Sequence, residues 1–125
     1  MNFDNRINNL QEKISKKKLD GIYVTNLTNV RYLTGFTGSA GSLLVLENKN
    51  YFFTDGRYIQ QSKEQVKNCE IQIIGGAHFQ FISDNNLIPS GCKIGFESDH
   101  MSVTFFTHLS KLINAVNWVP CFGII

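Results

Sequence analysis

Residues 42–58 read SLLVLENKNYFFTDGRY, and this stretch decides the fold class. Ser42–Leu46 and residues 51–54 are apolar runs rich in the residue types of buried strands. The polar Asn48-Lys49-Asn50 between them predicts a hairpin. The pattern then changes period. Asp55 can cap a helix that begins near Gly56, and residues 57–66 place Tyr58, Ile59 and Val66 on its inner side.

Working outward, Phe3, Ile7, Leu10 and Ile14 step by four, three and four residues, one face of an amphipathic helix that ends at Asp20-Gly21. Residues 21–25 (GIYVT) read as a short buried strand, and residues 26–30 as a plain connection. Beyond the hairpin, residues 71–74 form a strand stopped by Gly75-Gly76. Phe79, Ile82 and Leu87 mark a helix, and Pro89-Ser90-Gly91 a turn. Residues 93–96 are a strand. Ser102 caps a helix carrying Val103, Phe106, Leu109 and Ile113, and residues 117–120 close the order as a strand. The expectation is one α/β domain over residues 1–125, with a mixed sheet, one β-hairpin and flanking helices.

Composition agrees with a folded domain. With 125 residues, 42% hydrophobic and 18% charged, the chain has apolar content enough for one core, so disorder is not expected. No apolar run approaches the roughly 20 residues of a membrane span. Residues 1–13 show no signal-peptide core, so a cytoplasmic protein is expected. The net charge of +2 sits in residues 1–20, where Lys16-Lys17-Lys18 ends a helix and complements its dipole. Without a basic stripe, no nucleic-acid partner is expected. Cys69, Cys92 and Cys121 lack metal or redox spacing and read as small packed hydrophobes. Asn26-Leu27-Thr28 fits a glycosylation acceptor, by chance in a reducing compartment.

Three segments could carry chemistry. Residues 35–41 (GFTGSAG) are glycine-rich, but a strand follows them and no Gly-Lys-Ser/Thr does, so a phosphate loop is not supported. They read as a tight loop whose backbone packs closely before the sheet. Neither Ser39 nor Ser42 has glycines two before and two after, so a nucleophile elbow is absent. Asp55 is explained by capping. Arg57 is explained less well, because a cation in a first helical turn opposes the dipole; it should pair with a carboxylate, locally or across an interface. Glu97-Ser98-Asp99-His100 reads as a solvated loop rather than a metal site.

Two motifs at their separation carry a resemblance: residues 29–41 (NVRYLTGFTGSAG) and Phe53-Thr54-Asp55-Gly56-Arg57-Tyr58. Together they resemble the N-terminal domain of Xaa-Pro aminopeptidases in the creatinase/prolidase family, and Trp118-Val119-Pro120 is similar to that domain's last strand. The resemblance implies a ribonuclease H-like arrangement. It also implies that the chemistry lies in a C-terminal pita-bread domain, absent from this chain. There two divalent ions, usually manganese, polarise the carbonyl before proline, and metal-bound hydroxide attacks it. No residue here matches those ligands, so no cofactor and no catalytic residue is assigned to this chain.

The implied role is to shape the active-site entrance and to make subunit contacts. Candidates are Arg57, Asp55, Tyr58, Phe36, Thr37 and Ser39. The implied partners are the catalytic domain, a peptide with proline second, and further copies of the parent. Three alternatives stand beside this reading. They are the same domain of a Xaa-Pro dipeptidase, a stand-alone protein-binding module, and a ribonuclease H-like nuclease using Asp55 and Glu97. The apolar ending Cys121-Phe122-Gly123-Ile124-Ile125 favours a continuing protein over the module.

Overall fold

The computed structural model describes residues 2–125; Met1, the first residue of the expected domain, lies outside them. Helix α1 (Phe3–Lys16) precedes strand β1 (Gly21–Val24), helix α2 (Leu27–Thr34) and the hairpin strands β2 (Ser42–Leu46) and β3 (Asn50–Thr54). A 3-10 turn (Gly56–Tyr58) leads into α3 (Ile59–Gln65). Then follow β4 (Glu70–Ile73), α4 (His78–Asp84), β5 (Lys93–Glu97), α5 (Val103–Leu112) and β6 (Asn117–Cys121).

The six strands form one sheet in the order β4-β3-β2-β1-β5-β6. β2 is antiparallel to both neighbours, and the β3–β4, β1–β5 and β5–β6 pairs are parallel. Five strands therefore end on one edge of the sheet, where β2 begins. Strand periodicity sorts the side chains into two cores. Ile22, Val24, Leu43, Val45 and Phe52 pack against α1 and α2 with Ile7, Leu10, Ile14, Val30 and Leu33. Tyr23, Leu44, Phe53 and Ile94 face α4 and α5 with Ile82, Leu109 and Ile113. The expected mixed sheet with a hairpin and flanking helices is what forms.

Four local expectations need correction. Residues 26–30 are not a plain connection, because α2 occupies 27–34. Its β-branched Thr28, Val30 and Thr34 weaken the helical signal. Its ends are nonetheless specified: the Asn26 side chain accepts from Thr28 N–H, and Gly35, at φ +84°, donates to Arg31 C=O at 2.8 Å. Ile59 is 45% exposed, because the 3-10 turn shifts the phase so that Ser62 and Val66 face inward. Val103, at the first turn of α5, is exposed, and the buried face of that helix rests on Leu109 and Ile113. Glu97 is buried, not solvated.

Candidate rim at the carboxyl edge of the sheet

The edge where β1, β3, β4, β5 and β6 end gathers every candidate residue. In the 35–41 loop, Gly35 takes the left-handed conformation and Gly38 lies against aromatic rings. A Cβ at Gly38 would sit 2.3 Å from Phe36 Cζ and 2.9 Å from Tyr58 Cε1. Phe36 is the loop's anchor, buried at 1% exposure, with ring centroids 4.8 Å from Phe52 and 5.4 Å from Tyr58. The expected tight loop with close backbone packing is present, and aromatic contact is its cause.

Polar bonds pin the loop's outer side. Ser39 N–H donates to the Tyr58 hydroxyl at 3.1 Å, and the two hydroxyls lie 2.6 Å apart. These bonds hold the Tyr58 phenol below its ordinary range, the side-chain bond being the larger cause. Thr37 N–H donates to Gln65 Oε1 at 3.0 Å, and the Gln61 amide donates to Thr37 Oγ1. Thr54 Oγ1 donates to Ala40 C=O at 2.6 Å, tying the loop to the end of β3.

Asp55 caps the turn that follows β3, accepting from Arg57 N–H at 3.0 Å. The carboxylate of Arg57 sought by the sequence is this same residue: Nε and Nη2 donate to the two oxygens of Asp55 at 3.0 and 2.8 Å. This forked pair holds the Asp55 carboxyl below its usual range. The Arg57 side chain remains 65% exposed, so the pair stands at the surface of the rim.

Two features here escape the sequence reading. Ser42 Oγ and His78 Nδ1 lie 2.6 Å apart, and the buried Tyr23 hydroxyl is 3.4 Å from Ser42 Oγ. Burial pushes the His78 imidazole below its usual range, against a weaker opposite pull from Asp55. Nothing in the spacing of residues 42 and 78 announces this contact; the β2–β3 pairing and the placing of α4 create it. Burial also lifts the Tyr23 phenol to about 12.

The second feature is Glu97. Its Oε1 accepts from Thr25 N–H at 2.7 Å and Asn26 N–H at 2.9 Å, and its Oε2 from the Asn29 amide. β1 continues into α2 on one face and β5 into α5 on the other. Glu97 thus sits where the chain diverges, the crevice at which open α/β sheets commonly bind ligands. Here the carboxylate fastens the start of α2. The oxygens of Asp55 and Glu97 are engaged by N–H donors, and among the described residues no three His, Cys, Asp or Glu side chains group as metal ligands. That donor set does not fit the carboxylate cluster a nuclease needs.

Comparison with known proteins agrees with this fold. Residues 6–125 match the family model described as the Creatinase/Prolidase N-terminal domain. The chain is 36% identical over 115 residues to the uncharacterized peptidase YqhT of Bacillus subtilis, covering 92% of this chain and 33% of that protein. It is 42% identical over 91 residues to aminopeptidase P2 of Arabidopsis thaliana, covering 69% of this chain and 12% of that protein. Among solved structures, the creatinase/prolidase-like N-terminal domain from Corynebacterium diphtheriae superposes with TM-score 0.88 at 35% identity, over 98% of both chains. A Xaa-Pro dipeptidase from Bacillus anthracis superposes with TM-score 0.88 at 28% identity, over 98% of this chain and 34% of that one. The chain thus spans about a third or less of the full-length relatives it matches.

Proposed function

Because this chain belongs to the creatinase/prolidase N-terminal domain family, we propose that it is the non-catalytic N-terminal domain of a longer, metal-dependent Xaa-Pro aminopeptidase. Such an enzyme removes the residue that precedes proline. In this reading two divalent ions, manganese, sit in a C-terminal catalytic domain, and the protein works in the cytoplasm as a homo-oligomer. The residues described here do not fit a dinuclear metal centre, so no step of the chemistry is placed on them.

One observation carries the rim's role. Large exposed apolar side chains collect just past the strand ends: Leu27 after β1, Ile59 after β3, Val103 after β5 and Phe122 after β6. Val103 and Phe122 are 82% and 81% exposed, and apolar side chains grouped at one end of a sheet are the kind of surface another domain covers. Arg57, Asp55, Tyr58, Thr37 and Ser39 share that edge, with Phe36 holding the loop beneath. The rim therefore faces the catalytic domain and borders its entrance. A peptide entering there meets the guanidinium of Arg57.

The test uses the full-length protein that carries this domain. Arg57→Ala should raise KM for proline-containing peptides several-fold and leave kcat within about twofold, the pattern of lost uniform binding. Unchanged KM would remove Arg57 from the entrance. The likeness to the Bacillus anthracis dipeptidase supports a second reading, with a Xaa-Pro dipeptide as substrate. Comparing Ala-Pro with Ala-Pro-Ala separates the two: the aminopeptidase reading requires turnover of the tripeptide.

A further inference from the structure

We propose that β4 is a self-pairing edge: two copies of this chain join antiparallel across their β4 strands, merging two six-stranded sheets into one. This names a surface for the subunit contact proposed above and uses no part of the peptidase reading.

Backbone direction decides which groups of β4 are free to pair. β3 and β4 are parallel, with Phe53 opposite Gln72 and Thr54 opposite Ile73, and Ile74 N–H donates to Thr54 C=O at 2.8 Å. In a parallel ladder alternate residues turn both backbone groups to the neighbour. Gln72 and Ile74 therefore serve β3, and Ile71 and Ile73 direct their N–H and C=O groups away from the sheet. The strand reads Glu-Ile-Gln-Ile, with no proline, lysine or bulge to blunt it.

The opposite edge is built differently. Asn117 N–H donates to Cys92 C=O, and Ser98 N–H donates to Cys121 C=O, so the odd-numbered residues of β6 serve β5. The outward positions are Trp118 and Pro120, and Pro120 has no N–H to offer. One edge of the sheet is thus guarded and the other is left open.

The open edge complements itself. Centred on Gln72, an antiparallel pair sets Ile71 of one copy against Ile73 of the other, twice, and each pair exchanges two N–H···O=C bonds. Ile71 and Ile73 share the face packed by α1–α3, where Ile71 already meets the core and Ile73 is 41% exposed. The pairing forms a row of four isoleucines continuous with that core. It also keeps like charges apart. Glu70, the strand's one charged residue, is ion-paired to Lys49 at 3.1 Å and falls opposite Ile74 of the other copy, not opposite Glu70. A strand this short buries less than the roughly 800 Å² per partner of a standard interface, so the association is weak and shows only at high concentration.

The Corynebacterium diphtheriae domain, matched over 98% of both chains, shows that a chain of this extent folds alone. Sedimentation of the 125-residue chain between about 10 μM and 1 mM, with residue-resolved amide exchange, tests the proposal. The expected result is a monomer–dimer equilibrium. The Ile71 and Ile73 amides should slow several-fold at the high concentration, and the outward Trp118 amide should not change. Ile73→Pro deletes an outward N–H without touching the β3–β4 ladder, and Ile73→Lys adds an edge charge; each should leave a monomer at 1 mM. If Ile73→Pro fails to fold, Ile73→Lys decides alone. A chain monomeric at 1 mM overturns the proposal, as does concentration-independent protection of Ile71 and Ile73. So does a dimer that survives Ile73→Lys.

Discussion

Glu97 holds the rim through three N–H donors, and its removal should be costly in a specific way. Glu97→Ala leaves two backbone N–H groups and the Asn29 amide near a 3%-exposed site without their acceptor. At about 1–3 kcal/mol per unsatisfied donor, partly relieved by water, the loss should reach about 3–5 kcal/mol. Unfolding entropy scales with length, so each kcal/mol lowers the Tm of a chain this size by about 4 °C, for a fall of roughly 12–20 °C.

Glu97→Gln separates charge from hydrogen bonding. Its side-chain oxygen can still accept from Thr25 and Asn26, and a half-turn of the Asn29 amide lets Oδ1 accept from the new amide, so only the charge-assisted part of the bonding is lost, about 1 kcal/mol. Adding Asn29→Asp to Glu97→Gln restores a charge-assisted donor–acceptor pair across the same two positions, whereas Asn29→Asp alone sets a second carboxylate against Glu97. The double variant should recover at least about 1 kcal/mol relative to the sum of the singles. Urea unfolding followed by circular dichroism reads the four variants against wild type. The reasoning is refuted if Glu97→Ala costs under about 0.5 kcal/mol, or if the double variant is no better than additive.

Two further predictions concern the loop and its histidine. Gly38→Ala drives a methyl into Phe36 and Tyr58 and should destabilise by about 2 kcal/mol, whereas Gly56→Ala, with open space around it, should shift stability by under about 0.5 kcal/mol; equal urea midpoints would contradict the packing account. For His78 the folded imidazole is depressed, so the unfolded chain takes the proton first, near pH 6.5. Its contribution is intact above that pH, declines as pH falls toward the folded value, and then levels off. The stability difference between wild type and His78→Gln should shrink between pH 7 and pH 5, and a pH-independent difference would contradict this.

Much of the fold can be read from periodicity. The hairpin, the α1 stripe and the Ser102 cap all lie where local pattern and tertiary packing agree. α2 was hidden because its β-branched residues oppose the helix that Asn26 and Gly35 delimit. Ile59 and Val103 were misplaced because hydrophobicity alone does not tell a core side chain from one presented at a rim. At the site, the Asp55 cap and the glycine loop are local and therefore legible. The Ser42–His78 contact and the Glu97 fastening join residues 36 and about 70 positions apart, and only the register of the sheet brings them together.

The central claim is that this domain borders an entrance and holds none of the chemistry. The most direct measurement is hydrolysis of Ala-Pro and Ala-Pro-Ala by the purified 125-residue chain, with manganese in excess and the full-length protein alongside. The account predicts turnover by the full-length protein and none above background by the chain. Manganese-dependent cleavage by the chain alone, abolished by a chelator, would contradict it.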